Sequence, residues 1–214
     1  MKKLDIIYED KKIIVINKPS KMLCISDGRT NNTLYSEVYD YVKKKHKNNK
    51  IFIVHRLDKD TSGVVIFAKD PITKKYLQDN WNKITKREYI AILEGKLKEK
   101  KGTIKEYLLE DKTHKVYRSL NNKGEYAETS YVVMNYTNHN TVVAILIKTG
   151  KKNQIRVAFQ DLRHPIVGDK KYSAKTNPIN RLGLHASKIT LKMPDKTLEF
   201  IAKNPKEFAT YLKN

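Results

Sequence analysis

Cysteine occurs once in the 214 residues, at Cys24, so no intramolecular disulfide can form and a reducing compartment is the natural setting. The six histidines, at 46, 55, 114, 139, 164 and 185, fall into no metal-binding spacing with one another or with that cysteine, which argues against zinc. No stretch approaches the roughly 20 apolar residues of a membrane span. Acids interrupt the apolar run at the amino terminus within five positions, which excludes a signal peptide. These absences fit a cytoplasmic protein. Acids are scarce as well: 23 Asp and Glu face 44 Lys and Arg, for a net charge of +21. Only seven of the 44 are Arg, so a lysine bias explains the choice of cation but not the surplus. Such a surplus points to a polyanionic partner, and nucleic acid is the leading candidate.

With 39% hydrophobic residues and 13 tyrosines, the chain can still bury a core. Its length suits a single domain over residues 1–214, built on one core or on a core split into two lobes around a cleft. "KKIIVINKP" reads as a short buried strand closed by Pro19. "TLYSEVYDYVKKKHK" reads as a helix capped by Thr33, and "DPITKKYLQDNW" as a second, capped by Asp70 and opened by Pro71, with Ile72, Tyr76, Leu77 and Trp81 as its apolar stripe. Between them "GVVIFAK" has the continuous β-branched character of a strand buried on both faces.

"REYIAILEG" gives a further strand, and residues 128–148 a hairpin about the polar "TNHN". "NQIRVAFQDL" has helical spacing in Ile155, Phe159 and Leu162. "LHASKITLKM" and "LEFIAK" are strands, and "NPKEFATYLKN" a closing helix with Asn204 as cap. Lys96 to Lys101 reads as a basic turn. Strands outnumber helices and the hairpins favour an α+β fold, mostly antiparallel.

The stretch that carries chemistry is "VHRLDKDTSGVVIFAKD". Asp58 follows Arg56 by two positions and precedes Thr61, Ser62 and Gly63, just ahead of the apolar strand. An aspartate is ionised at neutral pH without assistance, so a base or nucleophile of this type needs positioning rather than activation. Thr and Ser hydroxyls can tie a tight loop, and glycine can take a backbone conformation closed to other residues. On these grounds alone a structural turn aspartate and a functional one are equally good readings.

"HRLDKDTSG" resembles the signature of the RluA-type pseudouridine synthases, in which the aspartate of H-R-L-D is the essential catalytic residue. Five further segments resemble that family in order: "IIYEDKKIIVINKP", "KREYIAILEG", "TGKKNQIR", and the closing pair "RHPIVGDKKY" and "RLGLHASKITLKMP". The resemblance implies a mixed, mostly antiparallel central sheet with flanking helices and a central cleft. It implies isomerisation of uridine to pseudouridine in ribosomal or transfer RNA with no cofactor and no metal; a monomer is expected because nothing in the sequence suggests an interface. It also implies roles: Asp58 acts on the ribose, Tyr89 lies against the flipped uracil, and Arg156 pairs with Asp58. Arg56, Thr61, Lys151 and Asn153 are expected to contact the RNA.

The opening strand starts near Leu4, from which no separate amino-terminal RNA-binding domain is expected. His55 and His185 read as structural. Departures from the family pattern fall at Lys151, Asn153 and Ser173, where arginine, histidine and glycine are usual. A non-catalytic RNA-binding or ribosome-assembly protein on the same fold is the alternative. It predicts loss of one of Asp58, Tyr89 and Arg156, and all three are present. A DNA-binding protein ranks third, because no helix-turn-helix is readable.

Overall fold

The structure is a computed structural model describing residues 4–212. In chain order its elements are β1 (Ile6–Glu9), β2 (Ile13–Lys18), α1 (Leu34–Lys45), β3 (Phe52–Ile53), β4 (Ser62–Ala68), α2 (Pro71–Ile84), β5 (Thr85–Glu94), β6 (Lys101–Glu110), β7 (Val116–Arg118), β8 (Glu125–Tyr136), β9 (Asn140–Ile147), α3 (Gln154–Asp161), β10 (Leu184–Lys192), β11 (Thr197–Ile201) and α4 (Ala209–Leu212). The class is α+β, as the sequence indicates. The chain divides into two compact units, one of residues up to Thr85 with Ala186–Lys203, the other of Lys86–His185 with the residues from Asn204.

In the first unit β2 runs antiparallel to β4, with Ile13 opposite Ala68 and Lys18 opposite Gly63. All seven residues of β4 are buried, which is why its sequence shows no alternation. β1 and β11 extend the array as antiparallel neighbours of β2 and β10, and β3 pairs with the end of β4. Both helices begin as their sequences dictate. The Thr33 hydroxyl accepts from Ser36 N–H at 3.1 Å in a reciprocal box, and the Asp70 carboxylate accepts from Thr73 N–H at 2.8 Å. Leu77 is fully buried with Ile13, Val15, Ile66 and Ile189, a contribution of about 2 kcal/mol for such a side chain. The expected stripe on α2 needs one correction: Ile72 is 83% exposed. It sits in the first turn, and the buried face runs instead through Thr73 and Leu77, with Tyr76, Trp81 and Ile84 at its border.

In the second unit the strand order is β5-β9-β8-β6-β7, with each pair antiparallel. Helix α3 lies over one face, where Ile155 and Phe159 join Ala91, Leu93, Tyr131 and Ile145. Leu162, expected on that stripe, lies just past the helix and is 38% exposed. On the opposite face Phe208 covers Ile90, Ile92 and Val142. The expected closing helix is shorter than read: Pro205 precedes a 3₁₀ turn, Lys206–Phe208, and only Ala209–Leu212 is α-helical. The last two residues of that segment lie outside the described residues. The basic segment from Lys96 is irregular up to Lys100, as read, and the ten-residue strand β6 that follows it was not read from the sequence. Ile104, Glu106 and Leu108 face α3, and a charged residue on the inner face disguises the alternation.

Glu106 is 4% exposed, and among the described residues neither carboxylate oxygen has a hydrogen-bond partner. Burial, reinforced by Asp161 and opposed by Arg118, pushes its pKa up to about 7. A raised carboxylate pKa means the folded state holds a proton that the unfolded state has released. Stability is therefore full below about pH 4.5 and falls as pH rises through about 7. Glu106→Gln is expected to remove a decline of about 2–3 kcal/mol between pH 5 and 8. Urea denaturation at several pH values checks it, and an unchanged slope in the variant refutes it.

Candidate active site

Asp58 lies between the short strand β3 and the buried strand β4, and the loop that carries it is tied at many points. Thr61 N–H donates to the Asp58 carbonyl at 3.2 Å, closing a four-residue turn. Cys24 clamps the preceding residue, since its thiol accepts from Leu57 N–H at 3.3 Å and donates to the Leu57 carbonyl at 3.4 Å. Burial raises the Cys24 pKa, which keeps the thiol protonated and able to donate. Lys18, wholly buried, donates to the carbonyls of Pro19 at 3.0 Å, Met22 at 2.8 Å and Lys59 at 3.0 Å. The Ser20 hydroxyl adds a bond to the Asp60 carbonyl at 2.6 Å. The Asn-Lys-Pro end of β2 thus grips the backbone beside Asp58, a role sequence reasoning missed. The one local signal was a lysine ending an otherwise apolar strand.

Around this turn Arg56 is exposed, Asp58 is half-buried and Thr61 is 3% exposed. His55 is held as support: its Nε2 accepts from Ile66 N–H at 3.1 Å, and its ring stacks on Trp81 at 4.4 Å. Acceptance requires an unprotonated Nε2, so the imidazole replaces a ladder acceptor where β3 has ended. Gly63, at φ +117°, opens β4 in a conformation reserved for glycine.

In the second unit Tyr89 stands on β5 opposite Ile145, half-buried against the inner core. Arg87 is two residues earlier on the same face, 5% exposed, and donates to the Lys148 carbonyl at 2.8 Å. This buried cation beside Tyr89 was not foreseen. Its signal was an arginine at an inward register of a strand.

Arg156 lies in the first turn of α3, with its side chain 11% exposed. Its Nε and Nη2 donate to the two oxygens of Asp169, each at 2.7 Å, in the bidentate geometry that fixes a guanidinium plane. Nη1 donates to Asn153 Oδ1 at 2.9 Å, and the guanidinium lies 4.8 Å from the centre of the buried Tyr172 ring. Asn153 is the helix cap at φ +54°, a left-handed conformation asparagine tolerates. It is 8% exposed. Lys151, partly exposed, pairs with Glu125 at 2.6 Å. Asp169 was missed, because 13 residues and a loop separate it from the arginine it orients. His185 is buried and meets Phe208 edge-on at 6.2 Å, in keeping with a structural role.

Ser173, where the family usually has glycine, sits at φ +69° at the end of the 3₁₀ turn that carries Tyr172. Relief of the left-handed backbone, partly offset by the greater entropy of unfolded glycine, is expected to make Ser173→Gly more stable by about 0.5–1 kcal/mol. Thermal denaturation checks this, and a lower melting temperature refutes it.

Residues 12–161 match the family model described as RNA pseudouridylate synthase. An uncharacterized RNA pseudouridine synthase, YhcT, from Bacillus subtilis is 36% identical over 99% of this chain and 70% of its own length. Ribosomal large subunit pseudouridine synthase D of Borreliella burgdorferi is 34% identical over 98% of this chain and 68% of its own. Among solved structures, human RNA Pseudouridylate Synthase Domain Containing 4 superposes with a TM-score of 0.81 at 25% identity, covering 97% of this chain and 91% of that one. The sheet pairings, the gripped H-R-L-D turn and these matches converge: the chain belongs to the RNA pseudouridylate synthase family, enzymes that isomerise uridine within RNA.

Proposed function

We propose that this enzyme modifies uridines in ribosomal or transfer RNA, with Asp58 as its catalytic carboxylate. The observation that carries the reading is the Asp58 turn, whose neighbouring carbonyls and amides are held by Thr61, Cys24, Lys18 and Ser20. A carboxylate that must meet one carbon of one ribose gains more from such fixing than from any shift in acidity. In the reaction the N1–C1′ bond of uridine breaks, the detached uracil turns, and C5 bonds to C1′. The C5 proton leaves and N1 gains one, so the product is an isomer. Asp58 acts on the ribose, at the anomeric carbon or the 2′ proton. Tyr89 lies against the extruded base, and Arg156, its guanidinium plane set by Asp169, is the third catalytic residue.

Arg56, exposed beside Asp58, contacts the RNA, with Thr61, Lys151 and Asn153 completing the contacts around the target nucleotide. Large-subunit ribosomal RNA is the favoured substrate, because a relative 34% identical carries that substrate in its name. The enzyme works as a cytoplasmic monomer. The test is to incubate it, and its Asp58→Ala variant, with total RNA from a strain lacking the gene, and to map pseudouridine at single-nucleotide resolution. New sites made only by the unaltered enzyme support the reading and name the RNA. No new site, with equal RNA binding by both proteins, overturns it.

A further inference from the structure

The face of the second unit opposite α3 is only partly covered. Phe208 seals it over Ile90, Ile92 and Val142 and α4 meets β8 at Asn135, but β7, β6 and the Tyr126 end of β8 leave theirs open. There Tyr107 stands directly opposite Tyr126, and Tyr117 is paired with Leu109, two residues along from Tyr107 on the same face. Three tyrosines thus lie contiguously across three strands. Tyr117 is 44% exposed and Tyr126 37%, with Tyr107 half-buried. The Tyr107 and Tyr126 rings meet edge-on at 5.6 Å, and the Tyr126 hydroxyl is fixed by Glu128 at 2.6 Å. The rings are held in place rather than free to wander.

The charges at this end are unbalanced. Glu110 is engaged by Lys152 and His114, Glu125 by Lys151, Glu128 by Lys148 and Tyr126, and Asp111 by the amides of its own turn. Lys105 on the face, opposite a Glu128 already engaged by Lys148 and Tyr126, and Lys112, Lys115 and Lys123 in the turns that end its strands, hold no ion pair among the described residues. Aromatic faces among unneutralised lysines are the chemistry that takes unpaired nucleotides: rings stack on bases and ammonium groups meet phosphates.

We propose that the open face of β7, β6 and β8 is a second RNA-contact surface, holding two or three unpaired nucleotides outside the target uridine. It rests on RNA being the substrate, and it lies on the face of this sheet turned away from Tyr89 and α3. The outer two of three strands are about 10 Å apart, room for that number of stacked bases. Further along β8 and β9, Val132, Met134 and Leu146 are exposed with Lys101 alone beside them, opposite Val132, and a protein partner would seat there instead.

The test is binding of a fluorescein-labelled 12-nucleotide oligouridine to the full chain and to Tyr117→Ser/Tyr126→Ser and Lys105→Glu/Lys123→Glu variants. Photo-crosslinking of a 4-thiouridine form, read by mass spectrometry, accompanies it. The tyrosine variant is expected to lose affinity on the order of tenfold per ring with an unchanged salt dependence, and the lysine variant to bind weakly with a shallower one. Crosslinks should fall on Tyr107, Tyr117 or Tyr126. Both variants should keep kcat at saturating RNA and raise KM.

Unchanged affinity with crosslinks only elsewhere overturns the proposal. So does unchanged affinity with a shift in sedimentation, which assigns the face to protein contact. Melting temperatures within about 3 °C of the unaltered enzyme establish that the variants fold. Binding is read without catalysis, so absence of pseudouridine formation by the unaltered enzyme would defeat the functional reading separately.

Discussion

An Asp58→Asn enzyme is expected to fold normally and to form no measurable pseudouridine. The substitution preserves shape and every backbone bond of the turn, including Thr61 N–H to the Asp58 carbonyl. What disappears is the anionic oxygen, and with it either route to the ribose. A loss of at least about 10³-fold in kcat, equivalent to about 4 kcal/mol of barrier, follows if the carboxylate acts directly. The melting temperature should move by no more than about 3 °C, because asparagine keeps the size of the side chain and leaves the backbone bonds of the turn in place. Asp58→Glu separates charge from position. It keeps the carboxylate but carries it about one bond length further, and misplacement by about 1 Å costs on the order of 10²-fold. A fully active glutamate variant would show that the tightly tied turn does not serve catalysis.

The second large effect falls on folding. A Gly63→Ala variant is expected to lose at least about 4 kcal/mol of stability and to accumulate poorly. A Cβ at Gly63 would lie 2.1 Å from the carbonyl oxygen of Ala186 and 2.7 Å from its carbon and nitrogen, all backbone atoms of β10. None can swing aside as a long side chain does. The φ of +117° adds strain of about 1–3 kcal/mol for any residue with a Cβ. The strand fixed there opens with the Asp58 turn, so relaxation would displace the site itself. Chemical denaturation with a soluble yield comparison measures the effect. A midpoint near that of the unaltered protein would mean that the Ala186 backbone of β10 does not lie against Gly63.

These effects were unequally legible in the sequence. Thr33, Asp70 and Pro71 declared their helices because a cap acts within three residues of itself. The seven buried residues of β4 declared a strand for a similar local reason. β6 was missed because the buried Glu106 interrupts the apolar positions of its inner face. The placement of Ile72 was misread because a stripe counted from spacing alone does not say which neighbours the first turn will meet. Asp58 stood out as a candidate but was not separable from an ordinary turn acid without the family signature. Lys18 and Asp169 were beyond local reading altogether. Lys18 reaches Lys59 across 41 residues, and Asp169 meets Arg156 only through a loop return, so each becomes visible only in the folded chain.

The most direct test of the central claim follows the C5 hydrogen, which must leave when C5 bonds to the sugar. Ribosomal RNA from a strain lacking the gene, labelled with tritium at uridine C5, is incubated with the enzyme and with its Asp58→Asn variant, and tritium appearing in water is counted. Stoichiometric release by the enzyme, with background release by the variant, is the predicted result. Equal release by both proteins would contradict the assignment of the chemistry to Asp58.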